Sequence, residues 1–219
     1  MRNNKEVWFL FQDLSKAYDR VNIHLLHKCM LRLKIPSIFI DLILSFFTRR
    51  TNAIITSSLI TIPYDIKVGI DQDEVISPLL WTIYYDPLFC RIKNLQQQYS
   101  TSVNRLVSID PLQYEQLKVE CNLLGYLDDT TWIVSSKAEL EKMLHIADSF
   151  YTFMNIKVNK QKSILMTNNT NHISNNHITL SFESDRITLP NTSQDQLIRF
   201  LDVWINLRGS YHFNIHKAC

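Results

Sequence analysis

The sequence predicts an α+β fold, and three observations carry that expectation. Short apolar runs that read as strands, such as Val7 to Gln12 and Thr130 to Val134, alternate with segments whose apolar residues recur at helical spacing. The helical segments open on capping signals and stop at proline or asparagine. The chain closes in short strand-like pieces, which favours a mixed or antiparallel sheet packed on helices.

Val7 to Gln12 is apolar on both faces, so it reads as a central strand, with Asp13 at its end. The helix that follows places Leu25, Leu26, Cys29, Met30 and Leu33 on one side and stops before Pro36. Ser37 is expected to cap a second helix carrying Ile38, Leu42, Ile43, Phe46 and Phe47. Arg49 and Arg50 suit its C-terminal end. Ala53 to Thr56 and Leu59 to Val68 read as a hairpin. Ser77-Pro78 is a helix start, with a capping hydroxyl and then proline in the first turn. That helix runs through Leu80, Ile83, Tyr84 and Leu88, with a kink expected at Pro87.

Residues 95–120 are polar and poorly periodic, and read as a loop or insertion. Leu123 to Tyr126 and Thr130 to Val134 read as two strands joined at Leu127-Asp128. Ser136 and Glu139 form a capping box ahead of Leu140, Leu144, Ala147, Tyr151 and Met154. Asn155 suits the left-handed position that ends a helix. Residues 167–177 are a polar loop. Ile178 to Phe182, Arg186 to Leu189 and Phe200 to Ile205 complete the strands.

With 219 residues and 46% hydrophobic content, the chain can bury a core of one domain or one and a half. The net charge of +2 decides little, but its distribution does more. Residues 1–50 hold nine Lys and Arg against four Asp and Glu, while residues 51–135 hold five against ten. An acidic middle in a weakly basic chain invites cations. Cys29, Cys90, Cys121 and Cys219 are scattered, without zinc spacing or a disulfide framework, which points to a reduced, intracellular setting. Neither a signal peptide nor a membrane-spanning run is evident, so no membrane partner is expected. Three glycines leave no phosphate-binding glycine loop.

Asp128 and Asp129 interrupt two apolar runs, and carboxylates at such a place need a metal ion, an arginine or solvent. Asp13, at the end of another buried strand, is the natural third carboxylate. Magnesium accepts such hard oxygens and fills its shell with water and phosphate. Side by side, Asp13 and Asp128 could share two ions about 4 Å apart, an arrangement suited to nucleotidyl transfer. Taken singly, the blander readings stay open: an ordinary Asp turn at 128–129, a helix-capping role for Asp13, a core role for Tyr18 and solvated charges at Lys160 and Lys162.

Five motifs stand in order: Phe11-Gln12-Asp13-Leu14-Ser15-Lys16-Ala17-Tyr18-Asp19-Arg20-Val21; Gly69-Ile70-Asp71-Gln72 with Ser77-Pro78-Leu79-Leu80 and Tyr85-Asp86-Pro87-Leu88; Tyr126-Leu127-Asp128-Asp129; Asn159-Lys160-Gln161-Lys162-Ser163; and Phe200-Leu201-Asp202-Val203-Trp204-Ile205. Together they resemble a reverse transcriptase of the non-LTR, LINE-like retrotransposon type. The resemblance implies an RNA-directed DNA polymerase, a nucleotidyltransferase with a palm-like antiparallel sheet packed on helices and a small C-terminal primer-grip hairpin. Its partners would be an RNA template, a DNA primer and deoxynucleoside triphosphates. Its cofactor would be two Mg2+ ions, or Mn2+ in their place. Asp13, Asp128 and Asp129 would be catalytic and hold the metals, with the Leu14 carbonyl as a further ligand. Tyr18 would reject a ribose 2′-hydroxyl, Gln72 would lie beside nucleotide and template, and Lys162 would approach the triphosphate.

Asp73, Asp202 and Asn155 stand where the family carries glycine. By this reading residues 1–206 are a partial reverse transcriptase domain, palm with remnants of fingers, and residues 207–219 begin a missing thumb. The expected history is a truncated retrotransposon copy, with a catalytically inactive remnant as the alternative. Another palm-type nucleotidyltransferase or nucleotide cyclase would also use paired strand-end aspartates. Restoring glycine at both aspartate positions (Asp73→Gly with Asp202→Gly), in a chain that carries fingers and thumb, is expected to raise primer extension. Unchanged extension would refute the cost assigned to those carboxylates.

Overall fold

The computed structural model describes residues 5–72, 74–95, 99–169, 177–182, 186–192, 196–201 and 203–207. Asp73 and Asp202 lie outside them. The chain forms two units. The first comprises Met1–Asp13, Ile92–Asp148 and Asn159–Cys219, and the second Leu14–Arg91 and Ser149–Val158.

The first unit is built on a six-stranded sheet. Its strands are β1 (Trp8–Leu14), β6 (Leu123–Tyr126), β7 (Asp129–Val134), β8 (Val158–Thr167), β9 (His177–Ser181) and β10 (Arg186–Thr192), in the spatial order β6-β7-β1-β8-β10-β9. β1 is central, as its two apolar faces predict. Pairing is antiparallel at β6/β7, β1/β7 and β9/β10 and parallel at β8/β10, so the sheet is mixed. β8 covers the lysine-bearing segment, to which the sequence pattern assigns no element.

Antiparallel register fixes which residues share a face, because side chains alternate along each strand. Trp8 pairs with Val134, Leu10 with Trp132 and Gln12 with Thr130. These six side chains are buried on one face. Burying residues as large as the two tryptophans and Leu10 stabilises the sheet by about 1.5–3 kcal/mol each. Gln12 is tolerated there because its carbonyl oxygen accepts a 3.0 Å hydrogen bond from the Trp132 indole N–H. On the other face, Phe11, Met166 and Ile198 form a small core with Phe9, Ile164, Ile205 and Leu207. Ile198 and Ile205 belong to the hairpin β11 (Ile198–Phe200) and β12 (Val203–Ile205), so this hairpin covers the Phe9 and Phe11 face of the sheet.

Helix α4 (Lys137–Phe153) begins on the expected box: the Glu139 amide donates to the Ser136 hydroxyl at 3.2 Å. Residues 100–120 are not a loop. They form a hairpin, β4 (Ser100–Ser108) with β5 (Gln113–Glu120), bulged between Leu106 and Ser108. Both strands are exposed along nearly their whole length, so neither needs the apolar alternation that reveals a half-buried strand.

In the second unit, α1 (Ile23–Arg32) is capped by the Asn22 side chain, which accepts from the His24 and Leu25 amides. It buries Leu26, Cys29 and Met30, while Leu33 stays largely exposed. α2 (Ser37–Ser45) departs from expectation. Pro36 occupies its cap position and no side chain caps it. Only Ile40 is buried within the helix, whereas Ile38, Phe39, Leu42 and the following Phe46 are exposed. Apolar spacing therefore marks the helix but not a core-facing stripe. The hairpin after it pairs β2 (Arg50–Asn52) with β3 (Tyr64–Ile66), with one further bridge at Ile55 and Ile60, shorter than the alternation suggests.

α3 (Ser77–Lys93) carries Pro87 inside it. The Ser77 hydroxyl is buried without a hydrogen-bond partner, so it does not supply the expected cap. Leu80, Trp81, Tyr84, Tyr85 and Leu88 are fully buried. Asn155 closes α4 at a φ of 56°, as expected. Tyr84 ties the helices together: its hydroxyl donates to the Met154 carbonyl at 2.7 Å and accepts from the Asn22 amide at 3.3 Å. Burial pushes its pKa up to about 12, the Asn22 amide opposing the shift and the Cys29 thiol adding to it, so the phenol keeps its proton at physiological pH. Tyr84→Phe leaves both partners unpaired and is expected to cost about 1–3 kcal/mol in urea unfolding. An unchanged midpoint and slope would mean the hydroxyl does not brace α1 against the end of α4.

Candidate active site

β1 and β7 run antiparallel to the Gln12–Thr130 pair, and the next residues along each strand are Asp13 and Asp129. Both are half-buried, and alternation puts them on the Phe9 and Phe11 face, the one covered by the β11–β12 hairpin. β6 and β7 close at the Tyr126–Asp129 pair, which leaves Leu127 and Asp128 as a two-residue loop. Leu127 has a φ of 56° while Asp128 stays out of the left-handed region. Positive φ at the first loop residue alone is the type II′ pattern, where glycine is usual. A side chain in that conformation costs on the order of 1–3 kcal/mol, and such strain gathers at functional sites.

The carboxylates sense one another. Burial raises the pKa of Asp129 above the ordinary carboxylate range, and the charges of Asp128 and then Asp13 raise it further. The Lys162 ammonium acts in the opposite direction. Lys162 lies exposed on β8, the other neighbour of β1 in the sheet. β7, β1 and β8 are neighbours in the sheet, so Asp129, Asp13 and Lys162 stand on adjacent strands, with Asp128 in the loop that leads into β7, although these motifs are far apart in sequence.

The donor set is compatible with a hard divalent cation. Among the described residues no three His, Cys, Asp or Glu side chains form a ready-made cage. Magnesium needs none, since it takes one or two carboxylates and completes its shell with water and substrate phosphate oxygens. Asp13, Asp128 and Asp129 can provide that minimum.

Leu14, Tyr18 and Gln72 belong to the second unit. Leu14 ends β1 and is buried. Tyr18 opens a 3-10 turn (Tyr18–Arg20), and its ring lies 5.9 Å from that of Trp81. Trp81 stacks on Tyr85 at 5.4 Å, and the Tyr85 hydroxyl meets that of Tyr151 at 2.7 Å. Tyr18 is therefore the outer member of a buried aromatic series. Gln72 is exposed, and its side-chain amide donates to Asp19 at 3.2 Å. Two backbone bonds run from the same segment to the turn, Ile70 N–H to the Tyr18 carbonyl and Gly69 N–H to that of Val21. The sequence singles out Tyr18 and Gln72, but it gives no sign of this bonding. Nor does it reveal the Gln12–Trp132 bond beneath the carboxylates.

The family described as reverse transcriptase (RNA-dependent DNA polymerase) matches residues 1–205. The chain belongs to that family and carries an RNA-directed DNA polymerase domain. Its fold is similar to the apo telomerase of Candida tropicalis truncated from its C-terminal domain, with a TM-score of 0.54 and 16% identity over 80% of this chain and 33% of that one. The apo telomerase of the same species matches with a TM-score of 0.52 and 15% identity over 80% and 30%. Its complex with a TWJ fragment of telomeric RNA matches at 0.50 and 15% over 82% and 29%. The chain spans about a third of the length of these structures. No curated protein matches the chain. Among the described residues no helix is long and apolar enough to cross a membrane.

Because the folded pKa of Asp129 is raised, the folded chain binds more protons than the unfolded chain between the ordinary carboxylate value and the raised one. That contribution to stability is full below the ordinary value and is lost as pH rises through the raised value. Asp129→Asn in metal-free buffer is expected to raise the melting temperature at neutral pH and flatten its dependence on acid pH. A variant with the parent's pH slope would place the titration elsewhere.

Proposed function

We propose that the chain catalyses RNA-templated addition of deoxynucleotides to a primer 3′-hydroxyl. The observation that supports the reading is that Asp13 and Asp129, next to the Gln12–Thr130 pair on adjacent strands, lie on one face of the sheet, with Asp128 in the loop that leads into β7. Asp13 and Asp128 would hold two magnesium ions, with Asp129 beside them and the Leu14 carbonyl as a further ligand. When bound, the ions supply acidity to the attacking hydroxyl and charge stabilisation at phosphorus. The chain's own residues do the rest. Lys162 would meet the triphosphate and supply a proton to the leaving pyrophosphate. Tyr18, its ring backed by Trp81, would exclude a 2′-hydroxyl. Gln72 would border nucleotide and template. In this reading the six-stranded sheet is the palm, and the β11–β12 hairpin, seated on the carboxylate face through Ile198 and Ile205, is the primer grip.

Template RNA, DNA primer and deoxynucleoside triphosphates are the proposed partners, and the complex of a telomerase neighbour with telomeric RNA supports the nucleic-acid part. The motif order supports a non-LTR retrotransposon origin, with residues 1–206 as the reverse transcriptase domain. A nuclear or cytoplasmic location would follow. A second reading, an inactive remnant, is favoured by Asp73 and Asp202 at family glycine positions. Primer extension on an RNA template decides between them. The expected result is magnesium-dependent incorporation that falls about a hundredfold to a thousandfold in Asp128→Asn. No incorporation by a folded parent chain would select the remnant.

A further inference from the structure

We propose that Arg50 is a positioning residue for Gln72, acting through the peptide Gly69–Asp71. The sequence pattern assigns Arg50 to the end of α2, where it would stabilise the helix dipole. The structure places it elsewhere. Arg50 opens β2, and its side chain is only 13% exposed. Its Nη2 donates to the Gly69 carbonyl at 2.6 Å. Its Nη1 stands 2.7 Å from Asp71 Oδ2, an ion pair held by charge without an aligned hydrogen bond. The guanidinium carbon lies 5.1 Å from the centre of the buried Phe47 ring, within cation–π range. The Nε is buried with no partner. A buried guanidinium with an unpartnered N–H is costly, and nothing in α2 requires it. The two contacts on residues 69 and 71 offset that cost.

Those contacts matter because the same peptide is fastened to the Tyr18–Arg20 turn on its other side. The Gly69 and Ile70 amides donate to the Val21 and Tyr18 carbonyls at 2.8 and 3.0 Å. A Cβ on Gly69 would stand 2.9 Å from the Asp19 carbonyl oxygen, and the glycine has a φ of 90°. The backbone at Gly69 thus lies directly against the turn, with no space there for a side chain. Arg50 holds the same peptide through the Gly69 carbonyl and the Asp71 carboxylate, and Gln72 emerges one residue beyond Asp71, bonded to Asp19. Lysine cannot replace this function. A single ammonium reaches one of the two acceptors, whereas the guanidinium fork reaches both. Arg49, its exposed neighbour just before β2, has no such contacts among the described residues and serves as the charge-matched control.

The inference rests on the polymerase reading for what Gln72 does, and not for what Arg50 holds, so two measurements separate them. Native-state hydrogen exchange on the whole chain reads the brace directly. Arg50→Lys is expected to lower protection at the Gly69 and Ile70 amides by about tenfold or more, with amides of α3 and with Arg49→Lys unchanged. Unaltered protection at 69 and 70 overturns the proposal, whatever the enzyme does. Primer extension reads the consequence: Arg50→Lys is expected to raise KM for the incoming deoxynucleotide about tenfold with kcat within about twofold of the parent. Equal KM alongside lost protection would overturn the link to Gln72 while leaving the brace. A parent chain that does not extend primers would refute the polymerase reading, and the exchange result would still decide what Arg50 holds. Arg50→Ala, which removes both contacts, is expected to give a larger loss of protection at the same two amides.

Discussion

The pairing of β1 with β7 is the constraint on which the site depends. Its register sends Trp8, Leu10 and Gln12 to one face and Phe9, Phe11 and Asp13 to the other. A slip of one residue would exchange the two sets, putting Asp13 among the tryptophans and Phe11 in the electrostatic site. The Gln12–Trp132 bond opposes such a slip, because a buried amide and a buried indole N–H satisfy each other only at this register. A polar pair in the core thus specifies where a charged pair at the rim must stand.

The fold was legible where burial is one-sided or complete. β1 reads as central because both its faces are apolar, and α4 reads cleanly because a capping box precedes a regular stripe ending at Tyr151 and Met154. Legibility failed where apolar content and burial part company. α2 is apolar at six of its nine positions yet buries one residue within its span. The β4–β5 hairpin has no buried face and so left no periodic trace. Ser77, a good cap by composition, turned out to carry a buried hydroxyl with no partner.

The site divides in a similar way. Asp13, Asp128 and Asp129 were visible because chemistry restricts residue type at strand ends and tight turns, whereas Lys162, inside β8, was marked only by the family resemblance. That their strands are neighbours was not visible, since it depends on the pairing order of the sheet. The arginine clamp on residues 69–71 was hidden for a different reason. A lone basic residue after a helix has an adequate local explanation, and only the long-range acceptor, nineteen residues away, shows that explanation to be insufficient. The aromatic series behind Tyr18 is intermediate. Each ring is plausible as core, and only their spacing from Trp81 to Tyr151 makes them one supporting column.

Leu127 holds the loop that carries Asp128 in a conformation that glycine would adopt without strain. Glycine would also open that loop to many more conformers, and Asp128 would sweep a wider volume. The leucine accepts a poorer backbone energy in return for a narrower one. The tip of the hairpin therefore behaves less like a hinge than like a stiff bracket, whose few accessible conformers confine the carboxylate it carries.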